Sequence, residues 1–416
     1  MAATQDLVDP PPHPYRWAML GGVWLVYFCF ALSVSSTAPL VRPIIEELGF
    51  SLGQMGSLMG AWPLVYIFSA IPAGAVLDRF GLRRSLFIGT LIIAASGVMR
   101  AFADDYLSFF FAIGLFGIGG PLISVGAPKL IHSWFSSKER GLAMGIYVSG
   151  PALGSISVLA LTNSVVMPLV DFQWRTAILV YAGFSAAAAF VWLLISSSPK
   201  ARAVEANATV TPVREQVRVF TDLVRLRPIQ IVLVMSAGIF AFNHGMNNWL
   251  PEMLTQAGMS LVQAGYWATI PTAIGIVAAL VIPRLARPGR RVAILVTVML
   301  CAGSAAMLIA FAGGSLLAGG LILQGVARGT MTPILMLILM ESKEVESHNM
   351  GAAGGLFFSA AEIGGVLGPL TVGLLADATG GFVVPLSALA LVCLLVALLA
   401  VSLRALLHPR TIATSQ

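Results

Sequence analysis

The sequence predicts an all-α membrane protein of twelve transmembrane helices, arranged as two six-helix pseudo-repeats. Three observations predict this. First, the 416-residue chain is 58% hydrophobic and only 10% charged, with a mean hydropathy of +0.90. Soluble domains carry about 25% charged residues, so this chain cannot cover a water-facing surface. Second, apolar segments of about 20 residues recur from end to end, long enough to cross a core of about 30 Å as helices. Third, the two halves match each other at a nearly constant offset.

The elements follow in order. The stretch 1–16, MAATQDLVDPPPHPYR, is acidic and Pro-rich with no basic n-region. It reads as a short cytosolic tail rather than a cleaved signal peptide. Spans one to six are expected near 17–39, 52–77, 85–103, 107–128, 141–165 and 176–197, forming an N-terminal half over 17–197. The longest connection, 198–229, is polar and divides the chain. Its second part, VREQVRVFTDLVRL, admits two readings, a solvated linker or an amphipathic helix on the cytosolic face. Spans seven to twelve are expected near 230–253, 262–283, 292–312, 315–340, 350–376 and 381–404, forming a C-terminal half over 230–404, with 405–416 as a cytosolic tail. Trp17 and Trp249 fall at span ends, where interfacial tryptophans belong.

Twelve spans put both termini on one side, and the basic residues say which. With the N-terminus inside, twenty Lys and Arg fall on inside segments and three, Arg42, Arg100 and Arg175, on outside ones. That is a strong positive-inside pattern. The net charge of +6 is therefore an orientation signal and not a nucleic-acid patch. The expected location is the plasma (cell inner) membrane, with both termini cytoplasmic and the working unit a monomer. Cys29, Cys301 and Cys393 lie far apart in apolar runs, without metal-ligand spacing. No GxxxxGK[ST] motif and no nucleophile–base constellation is present, so neither ATP drive nor an enzyme is expected, and no cofactor or metal.

The repeat is explicit. GFSLGQMG (49–56) matches GMSLVQAG (258–265), RFGLR (79–83) matches RPGRR (287–291), and LFGIGG (115–120) matches LQGVAR (323–328). Gly145, Ser149 and Gly154 match Gly355, Ser359 and Gly364. The offset drifts only between 208 and 210 residues. Parallel repeats of this kind are a transporter architecture, with the substrate held near the midplane between the halves.

Within the first copy, GAVLDRFGLRR (74–84) places Gly74, Asp78, Arg79, Gly81, Arg83 and Arg84 between spans two and three. Gly81 permits a tight turn between two helices. Arg83 and Arg84 anchor it at an anionic membrane surface. Asp78 can pair with Arg79 or Arg83, or meet the positive end of another helix. This segment resembles the loop signature of the major facilitator superfamily, and GIYVSGPALG (145–154) is similar to that family's fifth-span Gly-Pro motif. The resemblance covers the whole chain. It implies the major facilitator fold, with spans 1, 4, 7 and 10 lining a cavity and spans 2, 5, 8 and 11 flanking it. Spans two and eleven, and five and eight, would then face each other across the halves. It also implies a gating contact of Asp78 with the start of span eleven, HNMGAAGG (348–355), supported by Arg79, Gly81 and Arg83. The second copy has Ala286 where Asp78 would be, so the latch would be asymmetric. Glycines 141, 145, 150 and 154 in span five, and 351, 354, 355, 364, 365 and 368 in span eleven, allow close helix approach, for sliding or for static packing.

Two ionisable residues stand well inside spans: Arg328, in QGVARGTMTP at the middle of span ten, and Glu362, near the middle of span eleven. Consecutive antiparallel spans would put them at similar depth. A guanidinium cannot practically deprotonate and needs an anion. That anion is either Glu362, in an ion pair, or a bound substrate that frees Glu362 to carry a proton. The repeat mate of Arg328 is Gly120, so the cavity would be electrostatically one-sided. In span seven, FNHGMNNW offers Asn243, His244, Asn247 and Asn248, a hydrogen-bonding surface or a helix broken at Gly245. Tyr27, Trp62, Tyr66 and Tyr147 complete the candidate substrate-binding set.

The expected function is a secondary active transporter, working as a symporter or antiporter by alternating access on a small anionic organic or inorganic solute, with proton coupling or exchange. WFSSKERGLAMGI (134–146) resembles the nitrate/nitrite branch of the family and NWLPEML (248–254) the cyanate branch. The nitrate branch carries an Arg in span two and in span eight, and 52–77 and 262–283 carry none. The alternative is a proton-coupled drug or metabolite exporter, and beyond that a non-transporting sensor.

Overall fold

The computed structural model describes residues 14–201, 222–287, 289–311, 314–340, 345 and 350–407. Most of the expected tails, linker residues 202–221 and the loop before span eleven, including His348 and Asn349, lie outside the described residues. So does most of the amphipathic candidate at 213–226.

The described segments fold into helices. These are α1 (Arg16–Ser35), a continuous helix Leu52–Ala101, α4 (Tyr106–Trp134), α5 (Arg140–Leu161), α6 (Trp174–Ser196), α7 (Arg227–Gln256), α8 (Leu261–Leu285), α9 (Arg291–Phe311), α10 (Gly314–Met340), α11 (Met350–Thr379) and α12 (Val383–Leu407). Gly81 is non-helical, at φ 79° and ψ 163°, and divides Leu52–Ala101 into two arms, here α2 (52–80) and α3 (82–101). Among the described residues, eleven segments are long and apolar enough to span a membrane. The arm ending at Gly81 completes the expected twelve.

The repeat is visible in local chemistry. Ser51 accepts the backbone N–H of Gln54 at 3.1 Å while the Gln54 side chain accepts the Ser51 N–H at 2.9 Å, a capping box that starts α2. Ser260 and Gln263 start α8 with the same box, at 3.2 and 3.1 Å. Gly289 takes φ 82° where Gly81 takes 79°. A left-handed residue is what each turn requires, and glycine reaches it without strain.

The halves meet as the family resemblance implies. A Cβ on Gly56 of α2 would strike the Pro369 carbonyl of α11, and one on Gly265 of α8 would strike the Leu159 carbonyl of α5. These crossings lie towards the face opposite the basic loops, called here the distal face. There Asp377, at the end of α11, accepts the backbone N–H groups of Leu52 and Gly53 at 3.0 and 2.7 Å, across the halves. Arg42, on the short helix Val41–Leu48, pairs with buried Glu252 of α7 at 2.8 Å. The same helices part towards the basic face. Gly74 of α2 and Gly354 of α11 have open space where a Cβ would sit, as do Gly141 and Gly145 of α5. Among the described residues the halves are thus joined distally and apart at these positions on the basic side.

Candidate functional site

The N-terminal half contributes an aromatic wall. Tyr27 of α1 stacks on Tyr147 of α5, centroids 4.8 Å apart and planes at 18°. Trp62 of α2 meets Tyr66 and Phe116 edge-on, at 6.1 and 5.6 Å. The Tyr66 hydroxyl is held by Ser124 Oγ at 2.8 Å. Gly120, the mate of Arg328, leaves room for these rings: a Cβ there would lie 3.3 Å from Phe30 and 3.5 Å from Phe116.

The C-terminal half contributes the polar wall. Arg328 of α10 donates from Nη1 to Thr272 Oγ1 of α8 at 2.6 Å. Gly329 makes this possible by resting on the Gly275 backbone, which brings α10 against α8. One turn before Arg328, Gln324 is 1% exposed and its Oε1 has no hydrogen-bond partner. Glu362 of α11 is 6% exposed and its Oε2 is likewise unpartnered. A buried acceptor without a donor costs about 1–3 kcal/mol, so each of these atoms has capacity for a donor. Glu362 lies close to His244: a Cβ on Gly365 would collide with Glu362 Oε2 and sit 3.0 Å from His244 Nδ1. Gly364 and Gly368 produce this proximity by letting α11 rest on the Ala237 and Ala241 carbonyls of α7. The His244 ring lies between Phe240 and Trp62, at 5.5 and 5.6 Å, and so joins the two walls.

Several expectations change. The Arg328–Glu362 ion pair does not form, because α10 and α11 touch only slightly: α10 packs mainly on α8 and α9, whereas α11 packs on α2 and α7. α7 runs unbroken through Gly245, which packs against Leu389 and Val372 instead of breaking the helix. Trp249 is no interfacial residue. It is fully buried, donates to the Pro369 carbonyl at 3.0 Å and packs on Phe382. Trp17 is 41% exposed and meets Phe135 edge-on at 5.3 Å. Asp78 pairs with Lys129 of α4 rather than with Arg79 or Arg83, because Lys129 lies across the end of α2. Arg79 sits over the Phe80 ring at 5.7 Å, and the Arg83 carbonyl accepts Trp192 Nε1 at 3.0 Å. Asn243 and Asn247 are half-buried on α7, with no side-chain hydrogen bond among the described residues.

Sequence reasoning missed Gln324, Thr272 and Arg100. Gln324 was legible as the residue four before Arg328, on its face. Arg100 was read as an outside loop residue, yet it is 3% exposed and leans from the end of α3 onto α1.

A family model described as Major Facilitator Superfamily matches residues 23–360. The chain belongs to that superfamily, and it is therefore a multi-pass membrane transporter working by alternating access and not an enzyme. Among curated relatives, a hexuronate transporter of Bacillus subtilis (strain 168) is 25% identical over 84% of this chain and 85% of its own length. A 2-nitroimidazole transporter of Escherichia coli (strain K12) is 26% identical over 92% of this chain and 94% of its own. The fold resembles the crystal structure of a bacterial homolog of the human lysosomal transporter Spinster, inward-facing and unoccupied, with a TM-score of 0.77 at 15% identity over 95% of this chain and 98% of that one.

Proposed function

We propose that this transporter carries a small organic anion, a sugar acid of the hexuronate kind, and that Arg328 binds its carboxylate. The observation that carries the reading is a buried guanidinium whose hydrogen bond among the described residues goes to a neutral threonine, with the unpartnered buried acceptor Gln324 Oε1 one turn away on the same helix. A carboxylate answers the guanidinium in bidentate geometry. Sugar hydroxyls answer Gln324 and the free amides of Asn243 and Asn247. The ring lies against the aromatic wall of Tyr27, Trp62, Tyr66 and Tyr147. The hexuronate relative supports the same class.

Glu362 takes up a proton, because an ionised carboxylate without donors is costly at this depth. Proton and anion thus bind to the same half, on α11 and α10, an arrangement suited to coupling. The basic face is the cytosolic one and the membrane the cell's inner membrane, by the positive-inside pattern, which makes the splayed state inward-facing. Asp78, held by Lys129 in this state, exchanges that partner for the start of α11 when the cytosolic side closes, with Arg79, Gly81 and Arg83 shaping the turn.

The test is flux into proteoliposomes across a panel of D-glucuronate, D-galacturonate, D-gluconate, pyruvate and nitrate, with and without a proton gradient. Arg328→Ala should lose anion flux, and Glu362→Gln should keep exchange while losing gradient-driven accumulation. An Arg328→Ala protein that moves every anion as wild type does sinks the reading. A second reading, a small uncharged aromatic solute, is favoured by the stacked ring surface and the 2-nitroimidazole relative. Uptake of 2-nitroimidazole insensitive to Arg328→Ala would select it.

A further inference from the structure

A small closed cavity lies on the distal side of Trp62, bounded by Val34, Thr37, Met59, Arg100, Phe116 and Asn248 among others, with room for about one water molecule. Trp62 is the partition: one part of it lines this cavity and its ring stacks on His244 of the polar wall. Arg100 reaches the cavity with four hydrogen bonds. Nε donates to the Ser96 carbonyl at 3.4 Å, Nη1 to the Ser33 carbonyl at 3.1 Å and Ser36 Oγ at 3.4 Å, and Nη2 to Ser33 Oγ at 2.6 Å. Every acceptor is neutral, and no carboxylate pairs with it. A guanidinium has five donors, so one N–H of Nη2 remains. Thr37 and Asn248 also line the cavity with side chains that make no hydrogen bond among the described residues.

A buried, unpaired cation beside two unused polar side chains, at the boundary of the two halves, is the chemistry of an anion site. We propose that Arg100, Thr37 and Asn248 form a second carboxylate subsite, distal to Arg328, which the substrate occupies when the distal face opens. Asn248 belongs to the C-terminal half and Arg100 and Thr37 to the N-terminal half, so the subsite is contracted here and widens as the halves rotate. The substrate passes between Arg100 and Arg328 by displacement of Trp62. The inference rests on the sugar-acid reading above.

The test is homoexchange of labelled D-glucuronate in vesicles of defined sidedness, with half-saturation measured separately at each face. Asn248→Leu and Thr37→Val leave the four bonds of Arg100 in place. Each should raise the distal half-saturation concentration about tenfold, the scale of one lost hydrogen bond to a charged group. The value at the basic face should be unchanged. Arg100→Lys should raise it at least as much. Should Arg100→Lys fail to fold, the two cavity variants carry the test. Unchanged values at both faces overturn the subsite. A rise equal at both faces also overturns it, because it marks general damage to packing. A wild type that does not exchange D-glucuronate at all removes the sugar-acid reading, and this subsite with it.

Discussion

The distal closure rests on two polar contacts that can be removed separately. Asp377 caps the first turn of α2 from the other half, through Leu52 and Gly53. The carboxylate is exposed, so the value for an ordinary helix cap applies, about 1 kcal/mol. Arg42 pairs with Glu252 at 2.8 Å, with the arginine side chain 39% exposed and the glutamate 6%. A half-exposed pair is worth up to about 1 kcal/mol, and Glu252 keeps the Gln256 amide at 3.3 Å when Arg42 is lost. Both contacts bridge the halves and disappear when the distal face opens, so each loss shifts the equilibrium by its full value. Asp377→Ala and Arg42→Ala should each raise the ratio of distal-open to distal-closed molecules about fivefold. The contacts share no residue, so the double variant should reach about thirtyfold. Spin labels at Asp104 and Val383, exposed positions in opposite halves, read this ratio as a distance distribution. Of the native thiols, Cys29 and Cys393 are buried, and Cys301 is replaced beforehand. A double variant no more open than either single one would refute the two-contact account, and distributions identical to wild type would refute the latch.

Two further outcomes follow from the same geometry. Gly56→Val should prevent distal closure, because its side chain would occupy the place of the Pro369 carbonyl; the same spin labels should show only the long distance, and a wild-type distribution would refute the crossing. Gln324→Leu should raise the half-saturation concentration for D-glucuronate about tenfold while leaving thermal stability equal or higher, since it deletes an unpartnered buried acceptor. A parallel loss of melting temperature would show that Gln324 serves packing instead.

Much of the architecture was legible because it depends on local chemistry and on period. Span lengths follow from bilayer thickness, and the starts of α2 and α8 follow from Ser51 with Gln54 and Ser260 with Gln263. The turns follow from Gly81 and Gly289. The site was legible in part. Arg328 and Glu362 stand out because charge at the midplane is costly, and Tyr27, Trp62, Tyr66, Tyr147 and His244 stand out as polar or aromatic side chains within spans. Their separation was not legible, since consecutive spans need not pack on each other and α10 leans on α8 and α9 instead of α11. Arg100 was missed for a related reason. A residue at the end of a span looks like a loop residue, and only the lean of its side chain onto Ser33 places it inside. Trp249 repeats the lesson in reverse: a tryptophan near a span end is interfacial only if no helix covers it, and here Pro369 and Phe382 do.

The glycine crossings at Gly56 and Gly265 set a condition on the working cycle. Each presents bare backbone to a carbonyl of the facing helix, so the two halves turn on surfaces that have no side chains to rearrange. At these two points no rotamer has to change for the facing helices to shift. Such a bearing leaves the cavity walls free to change with the cargo, provided that these few positions stay without a Cβ.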